Sequence, residues 1–169
     1  IYNFDSLEPY ESLNENFKKR IKPGTVNVIT TNPPFGTKID DTRDYVLEKY
    51  ELGHKLIDGE PTKELVDGQD PDKLFVERDI LYLKDATDSE EGGRMVIVLP
   101  KQNLSGAQEE SVEFRKWLLK KVQITAIVDL PREAFQPHTG TKTSLVFLKK
   151  VKKNNEIKIS LYQINDQCN

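Results

Sequence analysis

Cysteine is almost absent from this chain. Its 169 residues hold one, Cys168, so no internal disulfide can form, and the composition suits a reducing compartment such as the cytoplasm. Cys168 reads as a tail thiol. The only histidines, His54 and His138, lie far apart with no cysteine beside them, so no metal is expected. No apolar run approaches the roughly 18 residues of a membrane-spanning helix, and the start shows no signal-peptide pattern. Positive charge is not in excess. Lys and Arg number 25 against 28 Asp and Glu, a net charge of −3, which does not describe a stand-alone nucleic-acid binder. Phosphate loops are missing too, because Gly140-Thr141-Lys142-Thr143 lacks the first glycine and the spacing of a nucleoside-triphosphate site. There is no internal repeat. What remains is 36% hydrophobic and 31% charged, a globular composition whose length fits one domain over residues 1–169.

Strand and helix signals alternate. Residues 8–19 have helical composition, ended by Lys22-Pro23-Gly24. A strand is expected over 26–30. Residues 37–69 are polar and contain Gly53, Gly59, Pro61 and Gly68; apart from a helical stretch over 44–50 they read as one long loop, of the kind that covers a site. Asp70 before Pro71 marks a helix start, with Asp70 as cap, and Leu74, Phe75, Leu81 and Tyr82 recur at helical spacing. Phe75 is either core or the rim of a pocket. A strand over 95–99 follows the Gly92-Gly93 turn. A helix over 109–121 turns Phe114, Trp117 and Leu118 inward. Strands are expected over 124–130 and 144–149, and alternating Ile157, Ile159 and Leu161 mark a last one after an Asn154-Asn155 turn. The order implies an α/β sheet. Two lysine groups, Lys116, Lys120 and Lys121, then Lys149, Lys150, Lys152 and Lys153, are either solvated surface or phosphate contacts.

The most informative segment is Val26-Asn27-Val28-Ile29-Thr30-Thr31-Asn32-Pro33-Pro34-Phe35-Gly36. It reads as a strand that stops at a rigid corner. Pro34 and Pro33 hold the residues before them extended, and neither has an N–H, so the corner offers carbonyls with few competing donors. Asn32 adds a side-chain carbonyl and Phe35 a flat face. Such a corner suits a planar ring that bears an amino group. The ordinary alternative for Asn32 is a turn asparagine bonded to its own backbone.

Asn32-Pro33-Pro34-Phe35 resembles the catalytic motif of amino-group methyltransferases that use S-adenosylmethionine. Gly92-Gly93-Arg94-Met95-Val96-Ile97-Val98-Leu99-Pro100 is similar to the next strand of the adenine-N6 DNA methylase family. Ala126-Ile127-Val128-Asp129-Leu130-Pro131-Arg132-Glu133-Ala134-Phe135 resembles the strand after that. Gly140-Thr141-Lys142-Thr143-Ser144-Leu145-Val146-Phe147-Leu148-Lys149-Lys150 resembles the last one. Tyr50-Glu51-Leu52-Gly53-His54-Lys55 is similar to a further family segment. Together they resemble the modification subunit of type I restriction–modification systems, from about Asp5 to Lys150.

The resemblance implies the C-terminal half of a Rossmann-like methyltransferase fold, with an antiparallel strand near the end of the sheet. It implies Asn32, Pro33, Pro34 and Phe35 as catalytic residues, Asp5 near the cofactor, and Phe135 and Lys142 at the substrate. It implies S-adenosylmethionine as cofactor, a flipped adenine of DNA as substrate, and a specificity subunit as partner, and leaves open whether a nuclease subunit joins. Asp5 reads equally as a capping residue, and Phe135 equally as core. No glycine-rich cofactor turn precedes Val26, so the chain is expected to be part of a catalytic domain and inactive alone. A non-catalytic assembly module, or a methyltransferase of RNA or protein glutamine, are the alternatives.

Overall fold

The computed structural model describes residues 3–36, 38–40, 44–137 and 139–152. In chain order the elements are α1 (Glu15–Arg20), β1 (Val28–Thr31), β2 (Ile39–Asp40), α2 (Asp44–Leu47), β3 (His54–Ile57), β4 (Glu60–Leu65), β5 (Gly68–Gln69), α3 (Pro71–Tyr82), β6 (Arg94–Pro100), α4 (Lys101–Ser105), α5 (Glu109–Lys121), β7 (Val122–Asp129) and β8 (Thr143–Lys150). The expected strand at Ile157, Ile159 and Leu161, the Asn154-Asn155 turn, Lys153, Cys168 and His138 lie outside the described residues.

The main sheet has the order β1-β6-β8-β7. β6 runs parallel to β1, and β8 runs antiparallel to both β6 and β7. Thus β1, β6 and β7 share one direction and β8 is inserted against it. This is a Rossmann-like α/β sheet with an antiparallel strand near its end. Met95, Ile97 and Leu99 of β6 and Val146 and Leu148 of β8 pack with Leu74, Val76 and Ile80 of α3 and with Phe114, Trp117 and Leu118 of α5. Period-2 positions of the strands and one face of each helix bury together. Among the described residues no helix is long and apolar enough to cross a membrane.

Three local expectations change. The helix expected over 8–19 is a 3-10 turn, Tyr10–Ser12, followed by α1, because the Asn14 side chain accepts the Asn16 N–H at 2.8 Å and starts a new helix. Asp70 stands at the N-cap of α3, but its side chain makes no capping bond; the carboxylate meets Lys73 Nζ at 3.1 Å instead. Residues 37–69 are not one long loop. β3 and β4 form an antiparallel hairpin, and β2 pairs with β5. The hairpin turns on Asp58 (φ 51°) and Gly59 (φ 69°), the left-handed pair that an Asp-Gly dipeptide signals. Its tip docks on α5: Gly59 N–H donates to Glu113 Oε2 at 2.7 Å, and Lys116 Nζ meets Asp58 Oδ1 at 2.9 Å.

Helix α3 buries charge as well as apolar side chains. Asp72, Lys73, Arg78 and Asp79 are all less than a tenth exposed. Burial pushes the carboxyls of Asp72, Glu77 and Asp79 up, to about 6, about 7 and about 7. These acids keep their protons in the folded chain at pH values where the unfolded chain has lost them. The folded state therefore binds more protons between about pH 4 and pH 7, and stability falls as pH rises through that window. The exposed carboxyls of Asp58, Glu90 and Glu91 and the half-buried one of Glu113 are held low by lysine partners, so their contribution is lost only below the usual carboxylate range. Stability should peak near the foot of that window, at about pH 4. Thermal melts at pH 5 and pH 8 check this, and Asp79→Asn should gain on the order of 2 kcal/mol at pH 8 while flattening the slope.

Candidate active site

Sheet register places the sequence motifs. Thr31, the last residue of β1, pairs with Ile97 of β6, so Asn32 leaves the carboxyl end of β1. The carboxyl end of β6 pairs Pro100 with Thr143, and that of β7 pairs Asp129 with Ser144. Asn32, Lys101, Leu130 and Thr141-Lys142 therefore leave or enter the sheet along one edge, where open α/β sheets bind ligands.

At the corner Pro33 is buried, Phe35 is half-buried, and Asn32 and Pro34 are exposed. The Asn32 side chain makes no hydrogen bond among the described residues, to its own backbone or elsewhere. Phe35 meets Phe135 edge-on, with ring centroids 5.9 Å apart and planes at 77°. One hundred positions of sequence separate these rings, and the fold brings both to the same edge.

Three contacts anchor the segment that delivers Phe135. Lys101 Nζ is hydrogen-bonded to Asp129 Oδ2, Ser144 Oγ donates to Asp129 Oδ1 at 2.7 Å, and Leu130 N–H donates to Thr143 O at 3.0 Å. Lys101 holds the Asp129 carboxyl below its usual range. Lys142 gives its backbone carbonyl to the Lys101 N–H at 2.8 Å and exposes its side chain on the same edge.

Asp5 lies in a different segment. It is exposed, its Oδ1 accepts the Leu7 N–H at 2.9 Å, and its carbonyl accepts the Glu8 N–H at 3.2 Å. That is the geometry of a turn cap, and it leaves the carboxylate at the surface.

S-adenosylmethionine is cationic at sulfur and carries amino and hydroxyl donors, so its site needs acceptors. At the corner the acceptors are the Asn32 side-chain oxygen and carbonyls with no proline N–H beside them. Gly36 follows at φ +117°, with nothing within 4 Å of where a Cβ would stand. This donor-poor, open arrangement fits the cofactor's chemistry. Two half-open clefts, of about 760 and 610 Å³, lie elsewhere, and Asn32, Pro33, Pro34 and Phe35 line neither.

Other candidates resolve into packing. Trp117 is fully buried, stacks on Phe114 at 6.3 Å and donates its indole N–H to Glu51 Oε2 at 2.6 Å. Phe75 packs against the main core. The lysine groups are matched by carboxylates: Lys116 with Asp58 and Glu113, Lys120 with Glu60, Lys121 with Glu51, Lys149 with Glu91, Lys150 with Asp85, Lys152 with Asp88. His54 holds Nδ1 2.9 Å from Tyr50 O. Among the described residues no group of three His, Cys, Asp or Glu converges as a metal site would require.

Sequence reasoning missed one assembly. Glu77 accepts the N–H groups of Glu51 (2.7 Å) and Leu52 (2.8 Å), and Arg78 Nε donates to Tyr50 Oη at 2.9 Å. No local pattern marks it, because the consecutive charges Glu77-Arg78-Asp79 read as the solvent side of a helix.

Comparison with known proteins follows the same lines. Residues 7–169 match the N-6 DNA Methylase family. The chain is 32% identical over 132 residues to the type I restriction enzyme EcoEI methylase subunit of Escherichia coli, covering 78% of this chain and 22% of that protein. It resembles the crystal structure of a modification subunit assigned to a type I restriction enzyme of Vibrio vulnificus YJ016, at TM-score 0.58 and 25% identity, covering 77% of this chain and 24% of that one. A Listeria monocytogenes structure assigned to the class I S-adenosylmethionine-dependent methyltransferases shares the fold at TM-score 0.59 and 19% identity, covering 84% and 36%. The chain thus spans less than a quarter of the length of its Escherichia coli and Vibrio relatives. With the proline corner at the carboxyl end of β1, the antiparallel strand between β6 and β7 and this match, the chain belongs to the N-6 DNA methylase family.

Proposed function

We propose that the protein containing this chain methylates the N6 amino group of adenine in DNA, as the modification subunit of a type I restriction–modification system. The observation that carries the reading is the Asn32-Pro33-Pro34-Phe35 corner at a strand end, with Phe35 edge-on to Phe135. S-adenosylmethionine, when bound, supplies the methyl group on a cationic sulfur. The amino nitrogen of adenine is a poor nucleophile because its lone pair is delocalised into the ring. The Asn32 side-chain oxygen and the Pro33 carbonyl accept hydrogen bonds from its two N–H groups and favour a pyramidal nitrogen with a freed lone pair; once methylated, the nitrogen sheds one of those protons to solvent. No covalent intermediate and no strong base are needed; the residues act by position and electrostatics. A base inside a duplex cannot reach this corner, so the adenine flips out, stacks on Phe35 and meets Phe135, while Lys142 stands at the edge for the strand's phosphate. Asp5 takes the cofactor. A specificity subunit reads the sequence, which accords with a chain of net charge −3 whose lysine groups are matched by its own carboxylates.

Tritiated S-adenosylmethionine given to the intact protein with its specificity subunit tests the assignment. Label should appear in N6-methyladenine of duplex DNA. Label in RNA or on peptide glutamine, or none anywhere, would overturn it. The stacking role has its own test. Phe35→Ala should weaken target-base binding about tenfold or more, since base–aromatic stacking contributes roughly 1–3 kcal/mol, whereas Phe35→Tyr should retain most of it. Fluorescence of 2-aminopurine at the target position reads the flip, and an equal rise for wild type and Phe35→Ala would remove Phe35 from that role.

A further inference from the structure

Residues 5–8 are held from three sides. Phe4 packs edge-on against Phe17, with centroids 4.9 Å apart. Tyr45 Oη donates to Glu8 Oε1 at 2.9 Å. Tyr50 Oη donates to the Leu7 carbonyl at 3.0 Å, and Leu7 N–H in turn donates to Asp5 Oδ1. Both tyrosines come from one short stretch before α3, so a single segment holds the turn that presents Asp5.

Tyr50 is itself fixed. Its hydroxyl accepts from Arg78 Nε at 2.9 Å, and Arg78 Nη1 donates to Tyr82 Oη at 2.9 Å. The guanidinium sits 5.6 Å from the centroid of each tyrosine ring. Arg78 is 4% exposed, and no carboxylate forms an ion pair with it among the described residues. A buried guanidinium is costly, and apolar side chains would pack the same space with less penalty. What Arg78 adds is direction. With one lone pair of Tyr50 Oη engaged by an N–H of a cation, the hydroxyl proton is left to point at Leu7 O. Glu77, one residue earlier in α3, caps the next two N–H groups of the Tyr50 segment. Ring and backbone of Tyr50 are therefore both set by α3.

We propose that Tyr50, braced by Arg78, is a positioning residue for the cofactor turn: it orients residues 5–8 so that Asp5 meets S-adenosylmethionine. The inference rests on the reading of Asp5 as the cofactor residue given above. In the intact methyltransferase, Tyr50→Phe should raise KM for S-adenosylmethionine about tenfold with kcat within about twofold, and should add little to Asp5→Ala in the double variant, since both act on one contact. Tyr45→Phe, at the surface, should act in the same direction more weakly and leaves the buried pair intact. Amide hydrogen exchange in the same protein without cofactor provides an independent measure. Leu7 and Glu8 should exchange about tenfold faster in Tyr50→Phe while the amides of β6 are unchanged. If Asp5→Ala leaves KM for the cofactor unaltered, the Asp5 reading falls and the positioning role with it. If Asp5→Ala raises KM but Tyr50→Phe does not, or if Leu7 and Glu8 exchange at their original rates, the clamp alone is overturned.

Discussion

Replacing Asn32 by alanine should cut methyl transfer by about a hundred- to a thousandfold or more, the loss seen when one preorganised partner of a transition state is removed. The side chain is exposed and makes no hydrogen bond within the described residues, so nothing in the fold depends on it. The melting temperature of Asn32→Ala should stay within the small range of surface substitutions. Activity and stability thus separate cleanly at this position. Asn32→Asp keeps an acceptor oxygen and should lose less than the alanine variant. Because the amide acts on the reacting nitrogen and not on distant parts of the substrate, the loss should fall on kcat rather than on KM. Single-turnover methylation of a DNA duplex carrying the target site measures it. Near-normal turnover by Asn32→Ala would remove Asn32 from the chemistry.

Gly53→Ala should produce the largest loss of stability from a single methyl group. A Cβ at Gly53 would stand 2.1 Å from the Leu47 carbonyl oxygen and 2.7 Å from its carbon, and these are backbone atoms that cannot rotate away. Leu47 and Leu52 on either side are fully buried, and Gly53 O accepts the Val66 N–H at 3.0 Å. The segment has no free direction in which to relax. Overpacking of this kind costs about 3 kcal/mol or more, which for a domain of this size lowers Tm by roughly 6–12 °C. Gly140→Ala is the control, because nothing lies within 4 Å of its Cβ direction; its effect should be within about 0.5 kcal/mol. Differential scanning calorimetry on both variants decides the matter, and an unchanged Tm for Gly53→Ala would show that the packing of residues 47–53 differs from that described.

Several elements could be read directly from residue order. Helix α5 runs over the expected residues because Phe114, Trp117 and Leu118 form a compact apolar stripe. Strand β6 follows the Gly92-Gly93 turn within a residue of the expected bounds. Both are local signals, since period and punctuation act over a few residues. The hairpin of β3 and β4 was also within reach, because Asp58-Gly59 is a strong turn dipeptide, but polar strands at the surface hide the alternation that would have announced it.

Other features could not be read locally. A helix pattern marks Arg78 and Asp79 as surface residues, yet α3 is enclosed on nearly every side and buries both. Lysines that look like phosphate contacts in sequence meet carboxylates up to 70 positions away. By itself the sequence determined the alternation of strands and helices, the rigid corner at Asn32–Gly36 and the family to which the chain belongs, because each is encoded in contiguous residues. Only the tertiary structure decided that Phe135 meets Phe35, that α3 clamps Tyr50 and that Tyr50 reaches Leu7. Those contacts join positions distant in the chain, and what selects them is the sheet order and the packing of the helices around it, which no local pattern carries.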